Sequence, residues 1–260
     1  MKFGASTACF YPLETEKALD KVIDLGFKRA EIFFNTVSEL DDSFVTEMKK
    51  KADANGVTIT SIHPFSSALE NTCIFGEYQR RYDDYIGLYQ KHFHASALLG
   101  AEFVVIHGAI EKAKRPLPSE HYFDRFASLV ELGKREGVTV CQENVHRFRS
   151  QSIDFCKSMR DYLKDDFNMV FDIKQSIRAG YEPKKFYNEF KNDIAHIHIS
   201  DNCPTKDCMP PGRGEFNFKE LFETMNSVNY DGSYIVEIYS KGYDVERELA
   251  FSKRFLNNYE

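Results

Sequence analysis

What most constrains the fold is a repeat. Short apolar, β-branched runs recur about every 30 residues along the chain. They are KFGAST (2–7), RAEIFF (29–34), VTITSIH (57–63), EFVVIHG (102–108), VTVCQEN (138–144), NMVFDIK (168–174), AHIHIS (195–200) and YIVEIYS (234–240). Stretches of helical period lie between them, among them TEKALDKVIDLG (15–26), FVTEMKKKADANG (44–56), YQRRYDDYIGLYQKHFHASALLG (78–100) and EHYFDRFASLVELGKREG (120–137). Each of these four ends in a glycine (Gly26, Gly56, Gly100, Gly137), as a helix does when a left-handed residue closes it. Eight strand–helix units in 260 residues predict a single α/β domain over 1–260, a (β/α)₈ TIM barrel. The competing fold is an open doubly wound sheet, but the first strand-to-helix turn, STACFYP, lacks the G-x-G-x-x-G of a dinucleotide site.

Composition narrows the function classes. A net charge of −6 argues against a broad nucleic-acid footprint, which needs a basic face. The six cysteines form no C-x-x-C pair, so free thiols in a reducing compartment are expected rather than a disulfide framework. No apolar run approaches the ~18 residues of a membrane span, and MKFGASTACFYP has no signal-peptide core. The expectation is a cytoplasmic protein with neither nucleic acid nor membrane as partner.

In a barrel, chemistry sits at the C-terminal ends of the strands. Those ends read Glu31, His63, His107, Glu143, Asp172, His198 and Glu237, each within apolar sequence. A single one can be a satisfied core polar group. Several carboxylates on one rim repel and cannot all stay ionised without a cation. Glu143, Asp172, His198 and Glu237 come from the last four runs. Three oxygen donors with one imidazole suit Mn²⁺, Mg²⁺ or Co²⁺, with Zn²⁺ as a further candidate. A six-coordinate ion held by four side chains keeps room to chelate a hydroxy-ketone. It would polarise the carbonyl and stabilise the ene-diolate left when an adjacent C–H is deprotonated, with a glutamate at the site's edge as base.

The motifs ENVHRF, VFDIKQ, HIHISDN, PPGRGEFNF and YIVEIY resemble those of the xylose isomerase-like TIM barrels, which include sugar isomerases, ketose 3-epimerases and endonuclease IV. The resemblance covers nearly the whole chain. It implies one divalent metal, Mn²⁺ foremost, held by Glu143, Asp172, His198 and Glu237, with Glu143 and Glu237 as the catalytic acid/base pair. It also implies a small carbohydrate substrate, and homo-oligomers are common among such proteins, although no feature here marks an interface.

The departures lie in the substrate contacts. Arg149 stands where the epimerases carry a glutamate, Lys174 and Gln175 follow Asp172 where they carry D-x-x-H, and Pro204 replaces an arginine. Arg147, Arg149, Lys174, Arg178 and Arg213 make this region cationic and point to an anionic substrate, a phosphate or carboxylate, unless they are surface charges or pair with nearby acids. His63, His107, Arg147, Arg149, Lys174, Gln175 and Arg213 are therefore the expected substrate-binding set. His63 and His107 also match positions that hold a second metal in endonuclease IV. The segment 201–217 is expected to form a rim loop turned by Pro210, Pro211 and Gly212.

Three rival functions remain. A dehydratase of the inosose or dehydroshikimate type would use the same metal and base, then expel a β-hydroxyl. An endonuclease IV-like enzyme needs a third metal site, and Gln175, Lys206 and Cys208 stand where its ligands should be. A non-catalytic sugar-binding barrel would have little use for both glutamates.

Overall fold

The computed structural model describes residues 1–239 and 241–259. Among these residues ten strands are present: β1 (Phe3–Ser6), β2 (Arg29–Phe33), β3 (Thr58–His63), β4 (Phe103–Ile106), β5 (Thr139–Glu143), β6 (Met169–Asp172), β7 (Ile194–Ile199), β8 (Asp201–Cys203), β9 (Lys206–Met209) and β10 (Tyr234–Val236). The helices are α1 (Thr15–Asp24), α2 (Asp42–Ala54), α3 (Ser67–Cys73), α4 (Gln79–Leu99), α5 (Ser119–Glu136), α6 (Ile153–Leu163), α7 (Ile173–Arg178), α8 (Pro183–Phe190), α9 (Phe218–Asn226) and α10 (Val245–Leu256). Eight parallel strands close in the order β1-β10-β7-β6-β5-β4-β3-β2. The seam pairs Phe3 with Tyr234 and Ala5 with Val236. This is the predicted TIM barrel, and each of the eight apolar runs supplies one barrel strand; Ser240, the last residue of the eighth run, lies outside the described residues. Gly26, Gly56, Gly100 and Gly137 all have φ between +64° and +75°, as helix-closing residues should.

Helices and strands meet in a continuous apolar layer that includes Leu19, Ile32, Phe93, Phe126, Phe171 and Leu249. A second, small cluster of Phe103, Val105, Cys141 and Val170 is separate from it. Side chains alternate along a strand with a period of two. Cys141 and Val170 therefore share the faces of Glu143 and Asp172, so an apolar plug lies below a polar layer at the strand ends. No helix among the described residues is long and apolar enough to cross a membrane.

The segment after β7 is more ordered than a simple rim loop. β8 and β9 form an antiparallel hairpin, with Cys203 paired to Lys206. The buried Asp201 carboxylate ties the hairpin to residues 212–216. Its Oδ1 accepts from the amides of Asn202 and Phe216, and Oδ2 from those of Gly212 and Gly214, at 2.8–2.9 Å. A Cβ on Gly214 would lie 2.3 Å from the Asn202 carbonyl oxygen, so only glycine fits there.

Candidate metal centre

β5, β6, β7 and β10 deliver Glu143, Asp172, His198 and Glu237 to one point, where one donor atom from each lies within 4.8 Å of the others. All four are buried. His198 Nδ1 faces Glu143 Oε1 at 3.6 Å, Asp172 Oδ2 at 3.7 Å and Glu237 Oε2 at 3.5 Å. Among the described residues it has no hydrogen-bond partner. Three carboxylates and an imidazole nitrogen, converging within 4.8 Å, are a donor set that fits a divalent cation.

The ring of His198 is aimed from behind. Its Nε2 donates to Glu31 Oε2 at 2.9 Å, and the same oxygen accepts from the Ser61 hydroxyl at 2.8 Å. A carboxylate behind a ligating imidazole is the usual way to fix its tautomer and direction. Glu31 stood out in the sequence as a strand-end acid, but nothing there indicated that it would lie behind His198. His196, two residues deeper in β7, lies 3.3 Å from Glu31 and packs against Phe103, a structural position.

The potential at this point is strongly negative. Burial would lower the His198 pKa, yet Glu31, Glu237, Asp172 and Glu143 push it well above the ordinary value. Burial would raise the Glu143 carboxyl, but His107, His198 and His63 hold it well below the usual range. Lys174 and His198 likewise outweigh burial at Glu237 and keep it low.

The cluster forms part of the wall of a cavity of about 460 Å³ at the strand ends. His63, His107, Lys174 and Gln175 line it with Glu143 and Glu237, and so do Tyr11, Phe33, Asn35, Phe65 and Tyr239. His107 Nε2 lies 2.9 Å from both His63 Nε2 and Glu143 Oε2. Gln175 is partly committed, since its Oε1 accepts from the His146 amide at 3.0 Å.

The arginines are elsewhere. Arg149 reaches the Leu117 carbonyl (2.8 Å) and the Ser119 hydroxyl (2.6 Å), with its guanidinium over the Phe155 ring at 4.4 Å. Arg213 pairs with Glu248 at 2.7 Å and stacks on Phe251. Arg178 forks onto Asp207, and Arg147 is exposed on the turn after β5 with φ +69°. None of the four lines the cavity. The anionic-substrate expectation therefore loses its guanidinium support, because Arg149, Arg178 and Arg213 have partners in neighbouring loops and helices and Arg147 lies exposed on its turn.

Lys174 lines the cavity, but its ammonium is turned onto two of the strand-end carboxylates. Helix α7 starts directly after Asp172, whose Oδ1 accepts from the Gln175 amide at 3.1 Å. The first turn swings Lys174 inward, fully buried, with its ammonium on Asp172 Oδ2 and Glu237 Oε2. Those two carboxylates hold its pKa well above normal against the effect of burial.

Known proteins share this architecture. An uncharacterized protein of Methanocaldococcus jannaschii is 26% identical over the whole chain and 89% of its own length. A D-psicose 3-epimerase of Ruminiclostridium cellulolyticum is 23% identical, covering 84% of this chain and 76% of that protein. An inosose dehydratase of Lacticaseibacillus casei is 24% identical over 60% of the chain and 63% of its length. The crystal structure of a D-tagatose 3-epimerase-like protein superposes with a TM-score of 0.81 at 23% identity, covering 100% and 97% of the two chains, a likeness of fold. The family model described as xylose isomerase-like TIM barrel matches residues 19–259, and the chain belongs to that family.

Proposed function

We propose that the chain is a divalent-metal-dependent isomerase or epimerase of a small sugar or sugar derivative, which moves a proton at the carbon beside a carbonyl. The observation that carries this reading is the unpartnered His198 Nδ1 facing three carboxylate oxygens at 3.5–3.7 Å, two of them on Glu143 and Glu237, which line the cavity. Glu143, Asp172, His198 and Glu237 would hold the ion, with Mn²⁺ ahead of Mg²⁺, Co²⁺ and Zn²⁺. Once bound, the ion supplies a Lewis acid that polarises the substrate carbonyl.

The remaining chemistry belongs to the chain. Glu143 ends β5 and Glu237 follows β10, with β6 and β7 between them, so two carboxylates face the cavity from different sides. Both are held ionised near neutral pH, so each can accept a proton. Removal on one side and return to the same carbon on the other inverts that carbon; return by the same carboxylate to the former carbonyl carbon, with the hydroxyl proton passing between the two oxygens, shifts the carbonyl. His107, 2.9 Å from Glu143 Oε2, can exchange a proton with it. Phe33, Phe65, Tyr11 and Tyr239 offer apolar walls to the C–H faces of a sugar, and Asn35 and His63 offer polar groups to its hydroxyls. With Lys174 as the one lysine or arginine in this lining, a neutral ketose is favoured over a phosphorylated one.

A dehydratase is the second reading, supported by the similarity to inosose dehydratase. It begins with the same proton abstraction and ends with loss of a β-hydroxyl.

The test is solvent-deuterium exchange followed by NMR over ketoses, ketose phosphates, keto-acids and inososes with Mn²⁺ added. Exchange into recovered or epimerised sugar, abolished in Glu143→Gln and Glu237→Gln while the fold is kept, supports the isomerase. An enone product identifies the dehydratase. Absence of exchange on every substrate overturns both.

A further inference from the structure

We infer that Lys174 is a built-in cation that competes with the divalent ion for Asp172 and Glu237, so that the ion binds by displacing the lysine. This rests on the proposed binding of a divalent ion by Glu143, Asp172, His198 and Glu237. The ammonium of Lys174 contacts Asp172 Oδ2 and Glu237 Oε2. Those are the same two oxygens that face His198 Nδ1 at 3.7 and 3.5 Å. Asp172 turns Oδ1 to the Gln175 amide and Oδ2 towards His198 Nδ1. A divalent ion held between His198 and Asp172 therefore meets the oxygen the lysine holds.

The two cations cannot share the site as it stands. Like charges a few ångströms apart in a buried, poorly screened position repel strongly, the more so when one of them is divalent. Nor is the lysine's place an accident of a long surface side chain. It is among the largest fully buried side chains of the fold, and it neutralises carboxylates that would otherwise be buried unpaired. Ion binding is then a replacement, and its apparent affinity falls by the fraction of molecules in which the lysine has moved aside.

The path of displacement leads into the cavity. Lys174 lines it, and its Nζ lies 5.7 Å from the Tyr239 ring centroid. Rotation of the stem carries the ammonium towards Tyr239 and into the space a substrate would use. Loading the ion thereby delivers an ammonium to the substrate side, where its N–H groups can donate to the hydroxyls of a neutral sugar.

The deciding measurement is Mn²⁺ affinity by titration calorimetry for the wild-type protein and Lys174→Met. Binding at least 10-fold tighter in the variant is expected. Equal or weaker binding overturns the inference, and the metal reading survives if the wild-type protein still binds Mn²⁺. If neither protein binds, both fail. Should Lys174→Met not fold, acetic-anhydride labelling of the wild-type protein decides, read by peptide mass spectrometry. Acetylation of Lys174 that rises with Mn²⁺ supports displacement, and labelling that is unchanged or reduced refutes it.

Discussion

His198 donates through Nε2 to Glu31 Oε2 at 2.9 Å, and that contact sets the direction of the opposite ring nitrogen. Replacing Glu31 by Gln keeps the shape but removes the charge that fixes the tautomer. Mn²⁺ affinity should fall 10- to 100-fold, the usual cost of losing a partner behind a metal ligand, as read by titration calorimetry. Unchanged affinity would show that packing alone orients the ring.

Acid stability should depend on His92. Its ring is buried against Phe34, Phe65 and Tyr89, with neither nitrogen hydrogen-bonded among the described residues. Burial, helped by His63, lowers its pKa to about 3. The unfolded chain takes up a proton near pH ~6.5 that the folded protein refuses, so stability rises with pH between those values. On acidification from pH 7 to 4.5 this one group costs about 2.5 kcal/mol. His92→Phe should flatten the unfolding free energy over that range in urea melts at several pH values. An unchanged pH slope would contradict the assignment.

Asp201 should be one of the most sensitive positions outside the cavity. Asn there turns an acceptor oxygen into an NH₂ group facing backbone amides that now point at a carboxylate. A loss of ~3 kcal/mol is expected, because charged hydrogen bonds are broken and buried donors left unpaired. Thermal melting reads the loss, and limited proteolysis should show earlier cleavage within 201–217. Gly214→Ala should do the same through its clash with the Asn202 carbonyl.

Arg149 separates a structural role from a substrate role. It bridges Leu117 and Ser119 at the start of α5 and stacks on Phe155. Arg149→Met should lower stability by ~1–2 kcal/mol and leave KM for an active sugar unchanged. A rise in KM specific to anionic substrates would return this residue to the site.

The barrel was legible because its strands are covered on both faces and read as continuous apolar runs. For the same reason Glu143, Asp172, His198 and Glu237 were conspicuous, as ionisable residues at the ends of such runs. The partners of long side chains were not legible. Arg149 is held by a carbonyl 32 residues away in sequence, and Arg213 by Glu248 on α10. The inward turn of Lys174 depended on α7 beginning without a loop after β6, which no periodicity indicates. The β8–β9 hairpin was hidden by its turn, Pro204-Thr205, which lacks the Asn-Gly or Gly-X signature of two-residue hairpins.

The seam between β1 and β10 gives the centre a further property. Its four donors sit on β5, β6, β7 and just beyond β10, and β10 is fixed in place by pairing with β1 as well as β7. No contiguous fragment shorter than 143–237 contains the donor set, and even that fragment would lack the first strand that holds β10. Ion uptake during refolding should therefore come late, after the first and last strands have met. A bound Mn²⁺ would act as a stopwatch for ring closure.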